Sequence, residues 1–278
     1  MLTDVSESVT SNGRSGRGRS VRLVPFLFGI ARVLDRTELP GPVLVRLLGD
    51  LGLTAPAARA LIARMQRDGQ LAGRRNGRTV DYRLVGEFAQ AFERIRTAAA
   101  GPPWTGQFHT LLYQVPERHR AFRDQLRRAA VFAGYGLLQQ GVLISSVDRR
   151  AQLAEVLTAA PDEAQLLFGE LRLSTVDAAR AAYQAWGLAE LAQTYRRHIR
   201  VLRAAIDRQG TPRPDGHTLR RLADLTSEPM LDTLWATALP PELTPPDWPL
   251  PQLRAAIDEL AEGYVPPIVE YLSGLLAN

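Results

Sequence analysis

The run Thr54-Ala-Pro-Ala-Ala-Arg-Ala-Leu-Ile-Ala-Arg-Met-Gln-Arg-Asp-Gly69 reads as one helix with both ends marked. Thr54 supplies a side-chain N-cap, Pro56 fits the first turn, where no N–H is needed, and Gly69 is the stop. At about 100° per residue, Ala58, Leu61, Ile62 and Met65 form one apolar stripe. The opposite face gathers Pro56, Arg59, Ala60, Ala63 and Arg67, with Arg64 on its flank and no acid before Asp68. A face that only meets water usually mixes Glu with Arg. Small residues interleaved with arginines suit a helix that must approach a polyanion closely.

The chain continues Leu71-Ala-Gly-Arg-Arg-Asn-Gly-Arg-Thr-Val-Asp-Tyr-Arg-Leu84. Asn76-Gly77 predicts a hairpin through a type I′ turn, which needs φ > 0 at two residues. Val80, Tyr82 and Leu84 alternate on the return strand, so Arg74, Arg75 and Arg78 gather at the tip. Upstream, residues 21–35 read as a helix with Leu23, Phe26, Leu27, Ile30, Val33 and Leu34 on one side. Pro40 and Pro42 open a second helix whose apolar face is Val43, Leu44, Leu47, Leu48 and Leu51.

Three helices and a basic-tipped hairpin predict a winged helix-turn-helix over residues 21–98. Its third helix would enter the major groove of double-stranded DNA, and its wing would lie along the backbone or minor groove. Arg59 and Arg67 are the candidates for base edges or the adjacent phosphates, with Ala60 and Ala63 permitting close approach. Arg64, Arg74, Arg75 and Arg78 are the candidates for the DNA backbone.

Charge agrees with that placement. The 278 residues carry a formal +5, with no cysteine and no lysine, so all 34 cations are arginines. Residues 1–96 hold 16 arginines and nine acids, whereas residues 97–278 hold 18 and 20. The whole positive excess therefore lies in the N-terminal third, as in a polyanion-binding module on a near-neutral body. Residues 1–20 (ending SNGRSGRGRS) have almost no large apolar side chain and are expected to be a disordered basic tail. Disulfides, thiolate metal clusters, cysteine nucleophiles and Schiff-base or P-loop lysines are excluded by composition.

Past a helix at 87–98 and the linker Ala99–Pro103 the period changes. Gln107–Val115 reads as a strand, Glu117–Ala133 as an amphipathic helix, and Gly134-Tyr135-Gly136 as a break. Gly141–Val147 is again β-branched, a helix follows at 149–159, and Gln165–Leu173 is strand-like. This alternation predicts a ferredoxin-like α/β sandwich over residues 104–176. Residues 177–278 read as a helical C-terminal domain, with a loop at 210–216, a helix at 218–238 and a last helix at 250–276 interrupted at Pro266-Pro267. The class is α+β and mostly helical.

Catalytic chemistry is not visible. His109, His119, His198 and His217 show no i,i+4 pair and no nearby carboxylate at ligand spacing, so neither a metal site nor a cofactor is expected. No G-x-S-x-G, G-x-G-x-x-G or Walker pattern occurs. Trp104, Tyr135, Trp186, Trp235 and Trp248 are better read as core than as an effector pocket. The apolar run Leu23–Ala31, bracketed by Arg22 and Arg32, falls short of the ~20 residues of a membrane span. Without an export signal the expected location is the cytoplasm, with no membrane partner.

In these segments the sequence resembles the PaaX family of bacterial repressors. The likeness rests on Leu53–Gly69, Arg75-Asn-Gly-Arg78 and Tyr82-Arg83-Leu84. It extends to Trp104-Thr-Gly106, Gly134-Tyr-Gly-Leu-Leu-Gln-Gln-Gly141 and Asp247-Trp248-Pro249. It implies a winged helix, a ferredoxin-like middle domain and a helical C-terminal domain. It also implies a homodimeric transcriptional repressor released by a small effector such as an aryl- or acyl-CoA thioester. The middle domain resembles the small nuclease subunit of CRISPR adaptation, which holds a metal through an acid at the end of its first strand. Tyr113-Gln114-Val115 offers no acid there, so a metal-dependent nuclease is the weaker alternative. An activator or a defence-associated DNA-binding regulator without a CoA effector stays open.

Overall fold

The computed structural model describes residues 16–86, 89, 103–208, 210–234 and 239–277. The expected tail up to residue 15, most of the expected helix 87–98 and Trp235 lie outside the described residues. The chain combines helices with two small antiparallel sheets and divides into two compact units. One takes residues 1–97, 198–234 and 252–278, and the other takes 98–197 and 235–251. The helical stretch from 177 onward is thus shared between them.

In the first unit the chain runs α1 (Gly16–Arg32), β1 (Leu39–Pro40), α2 (Gly41–Asp50), α3 (Ala55–Arg67), β2 (Leu71–Asn76) and β3 (Thr79–Leu84). The expected helix 21–35 starts earlier and stops at Arg32, leaving Val33 past its end and 55% exposed. Val24 and Phe28 are buried as well as Phe26, Leu27 and Ile30, so burial is wider than one stripe. The reason lies far along the sequence. Helix α8 (Gly216–Leu234) also packs on α1, where Arg22 lies 3.5 Å from Glu228.

Helix α3 is built as its ends predict. Thr54 Oγ1 accepts from the Ala57 N–H at 3.4 Å, and Gly69 turns the chain with φ +68. Ala58, Leu61, Ile62 and Met65 are buried. The hairpin forms in a register one residue along from the expected one. Asn76 pairs with Thr79, so the two loop residues are Gly77 and Arg78. Gly77 has φ +60, and no non-glycine there has positive φ. That is the pattern of a type II′ turn, not type I′. Asn76 is held in the last rung because its Nδ2 donates to Asp81 Oδ2 at 2.7 Å. Strand β1 pairs with β3, giving the order β1-β3-β2.

The second unit contains β4 (Gln107–Gln114), α4 (Arg120–Ala133), β5 (Gly136–Gln139), β6 (Val142–Ser145), α5 (Ala154–Thr158), β7 (Gln165–Arg172) and α6 (Thr175–Ala185). The sheet order is β5-β6-β4-β7, antiparallel throughout. Gly134, at φ +101, ends α4. Strand alternation sends Leu111 and Tyr113 to one face with Phe122, Leu126 and Leu153, and Phe108 to the other with Ala178, Ala182 and Trp186. Strand β5 was not anticipated. A Cβ on Gly136 would come within 2.7 Å of the Trp186 ring, so only glycine permits this approach.

Helix α7 (Leu188–Ile206) carries residues of both units. In the first unit its C-terminal part accompanies α8 and α9 (Leu250–Ala277), with His198 Nε2 2.8 Å from Asp232 Oδ2 and Arg203 paired to Glu259. The interruption expected at Pro266-Pro267 does not occur, and α9 runs through both prolines. Its stripe of Leu253, Ala256, Leu260, Tyr264, Ile268 and Leu272 is buried on both sides of them. Packing of that stripe outweighs the backbone hydrogen bonds that proline removes.

Candidate nucleic-acid interface

The buried stripe of α3 fixes its opposite face toward solvent. Arg59, Ala60, Ala63 and Arg67 are exposed, and Arg64 is half-buried on the flank. None of these three arginines forms an ion pair with a described residue. The face therefore presents guanidinium groups without an ion-pair partner among the described residues, beside the short side chains of Ala60 and Ala63. That combination permits both close approach and bidentate bonding to an anion or a base edge.

The three hairpin arginines are not equivalent. Arg75 and Arg78 are exposed and form no ion pair with a described residue. Arg74 is exposed too, but its Nη2 donates to Glu38 Oε2 at 2.6 Å and lies 3.8 Å from Asp81 Oδ2. The hydrogen bond from Arg74 holds the Glu38 carboxyl below its ordinary range and raises the guanidinium in turn. Glu38 was missed at the sequence level. It precedes β1, and only the pairing of β1 with β3 carries it to the hairpin. Thr79 Oγ1 donates to the Asn76 carbonyl at 3.0 Å, which further fixes the turn that presents Arg78.

The C-terminal helices reach this module at the end of α2. Tyr271 donates to Asp50 Oδ2 at 2.6 Å, Arg46 Nε lies 3.4 Å from Asp50 Oδ1, and Arg220 Nε donates to the Asp50 carbonyl at 2.6 Å. Asp50 sits just before the turn into α3, so these bonds brace the helix that carries Arg59 and Arg67.

Trp104, Trp186 and Trp248 are partly buried. Trp104 and Phe108 have ring centroids 4.7 Å apart, Tyr195 meets Trp248 edge-on at 5.5 Å, and Tyr135 is buried. Among the described residues no helix is long and apolar enough to cross a membrane.

Two family models match the chain. The one described as PaaX-like protein covers residues 20–88, and the one described as PaaX protein central Cas2-like domain covers residues 101–181. Together they span more than half of the sequence. No protein of curated function matches. Among solved structures, the uncharacterized protein Rv0674 from Mycobacterium tuberculosis is 22% identical with a TM-score of 0.53, over 84% of this chain and 91% of that one. At that identity the likeness is one of fold.

Proposed function

Because this chain belongs to the PaaX family, we propose that it is a sequence-specific DNA-binding regulator of transcription that represses as a homodimer. One observation carries this reading, the exposed α3 face of Arg59, Ala60, Ala63 and Arg67, free of ion pairs with described residues and opposite a buried stripe. Helices α1 to α3 followed by the β2–β3 hairpin support reading residues 21–98 as a winged helix-turn-helix, with α3 as the groove-entering helix. The strand order β5-β6-β4-β7 with helices at α4 and α5 supports reading the middle block as ferredoxin-like. Arg59 and Arg67 contact base edges or the adjacent phosphates. Arg64, Arg75 and Arg78 contact the backbone, and Arg74 contributes less because Glu38 already holds it.

A homodimer reads half-sites about one helical turn apart or a multiple of it. A small effector, of the aryl- or acyl-CoA thioester class that the family resemblance implies, weakens binding by preferring one dimer geometry. The protein works in the cytoplasm and is not an enzyme. Selection of bound sequences from random double-stranded DNA tests this. A pseudo-palindromic consensus is expected, relaxed in Arg59→Ala and kept in Arg75→Ala at lower affinity. Recovery of no consensus by the unaltered protein would sink the reading.

A further inference from the structure

The sheet of the second unit ends in two unlike edges. Strand β5 is four residues long, its pairing with β6 shifts between Leu137 and Gln139, and its Leu138 carbonyl accepts from Gln184 Nε2 of α6 at 2.9 Å. Shortness, a bulge and cover by a neighbouring helix are usual means of blunting an edge. Strand β7 is neither short nor bulged. All eight of its residues pair with β4 without a shift, and it holds neither proline nor lysine. Among the described residues no strand pairs with its outer side. The Tyr113 N–H donates to the Gly141 carbonyl at 2.8 Å, on the β6 side of β4. Main-chain groups alternate sides along a strand, so Leu112, Thr110 and Phe108 bond to β7 through Leu167, Gly169 and Leu171. The N–H and C=O groups of Phe168, Glu170 and Arg172 are thereby left pointing outward.

The side chains of that edge complement a second copy of themselves. Glu170 and Arg172 are two apart on one face of the strand, both are exposed, and neither forms an ion pair with a described residue. When two β7 strands meet antiparallel about a two-fold axis at Leu171, Glu170 stands opposite the partner's Arg172, and the axis repeats the pair. Both residues point their main-chain groups outward, so these pairs are also hydrogen-bonded rungs of the new ladder. Gly169 then faces the partner's Leu173. Nothing within the chain requires glycine at 169, since a Cβ there would meet no atom within 4 Å. Glycine inside a strand often marks close approach by another backbone. The same alignment carries Leu167 to the level of the partner's Val176. In the single chain these two side chains are 62% and 70% exposed, more than any other large hydrophobic among the described residues.

We propose that β7 is a self-association edge, at which two copies of this chain join β7 to β7, antiparallel, into one continuous sheet held by a symmetric pair of Glu170–Arg172 ion pairs. A charge pattern that matches its own reverse favours a second copy over unrelated strands. The proposal names the interface of the homodimer in the functional reading, and rests on that reading only for a part in DNA recognition.

The test is sedimentation of the full chain, without DNA, over a range of concentrations. A monomer–dimer equilibrium is expected. Glu170→Arg sets arginine against arginine at both rungs, and Arg172→Glu sets acid against acid, so each should weaken dimerisation about tenfold. The double variant Glu170→Arg/Arg172→Glu restores opposite charges and should dimerise about as tightly as the unaltered chain. Circular dichroism checks that each variant folds. Hydrogen exchange of the unaltered chain decides the matter even if a variant does not fold, since the Glu170 and Arg172 amides should be protected in the dimer and lose that protection on dilution. A monomer at every concentration would overturn the proposal and leave the edge to a strand of a different protein. Equal affinity in Glu170→Arg, or a double variant no tighter than the single ones, would overturn it too, while the homodimer of the functional reading survives through another surface. Selection from random DNA remains the separate test of that reading. A chain that dimerises through β7 and recovers no consensus keeps this interface and loses the regulatory role.

Discussion

Arg74 Nη2 donates a 2.6 Å hydrogen bond to Glu38 Oε2, so one of the three hairpin arginines is already neutralised by its own chain. Arg75 and Arg78, beside it in sequence, form no ion pair with a described residue. Released counterions measure how many phosphates a protein neutralises, and an arginine that keeps its internal partner releases few. Arg75→Ala and Arg78→Ala should each weaken binding alike across sequences and flatten the salt slope by about one. Arg74→Ala should change both less. Mobility shifts at several salt concentrations check this, and an equal loss for Arg74→Ala would mean that it leaves Glu38 on the DNA.

The same pair makes a prediction in pH. Glu38 is held below its ordinary value of 4.5, first by the hydrogen bond from Arg74. A depressed folded-state pKa contributes stability above the unfolded value, and that contribution is lost as pH falls through the folded value. The pair is exposed, so water screens it and the effect on global stability is small. The local effect is readable. Side-chain NMR titration should place the Glu38 midpoint below the ordinary range and return it there in Arg74→Ala. A midpoint that does not move with that substitution would show that the ion pair is not formed in solution.

Local chemistry was legible where a single residue determines a backbone choice. Thr54, Pro56 and Gly69 bounded α3 because each acts on its own turn, and its buried stripe followed from spacing alone. Strand β5 was not legible. Four residues give too short a pattern, and its reason is Trp186 lying against Gly136, fifty positions away. The prolines at 266 and 267 misled for a similar reason, since they are local breakers overruled by a long buried stripe. Of the candidate site, the identities of the arginines were readable. Which of them carries an internal partner was not, because Glu38 and Arg74 meet only through strand pairing.

The bond from Tyr271 to Asp50 is another such long-range contact. Asp50 is largely buried at 13% side-chain exposure, and its carboxylate is met by the Tyr271 hydroxyl at 2.6 Å and by Arg46. Tyr271→Phe keeps the ring and deletes the donor. A hydrogen bond to a charged group contributes roughly 1.5–3 kcal/mol, so the denaturation midpoint should fall by a corresponding amount with the slope unchanged. If α9 braces the seat of α3, the variant should also weaken DNA binding at temperatures where it remains folded. An unchanged midpoint would mean that water replaces the hydroxyl at no cost.

Alkaline pH tests the core of the second unit. Burial, reinforced by the Asp148 charge, pushes the Tyr135 phenol up from 10.0 to about 12. Tyr113 is raised in the same direction, again chiefly by burial, and its hydroxyl has no partner among the described residues. A group whose folded-state pKa is raised contributes stability that is fully present below the unfolded pKa. It is lost as pH rises through the folded value. The window for Tyr135 therefore opens near 10.0 and closes near 12. Tyrosinate absorbance should show an early phase from exposed tyrosines, then a late one coincident with loss of β-sheet circular dichroism. Tyr135→Phe should move the unfolding transition to higher pH and reduce the late phase. Full ionisation of every tyrosine while the β-sheet signal is still intact would show that Tyr135 is open to water, contrary to its packing with Leu143, Leu153 and Val156.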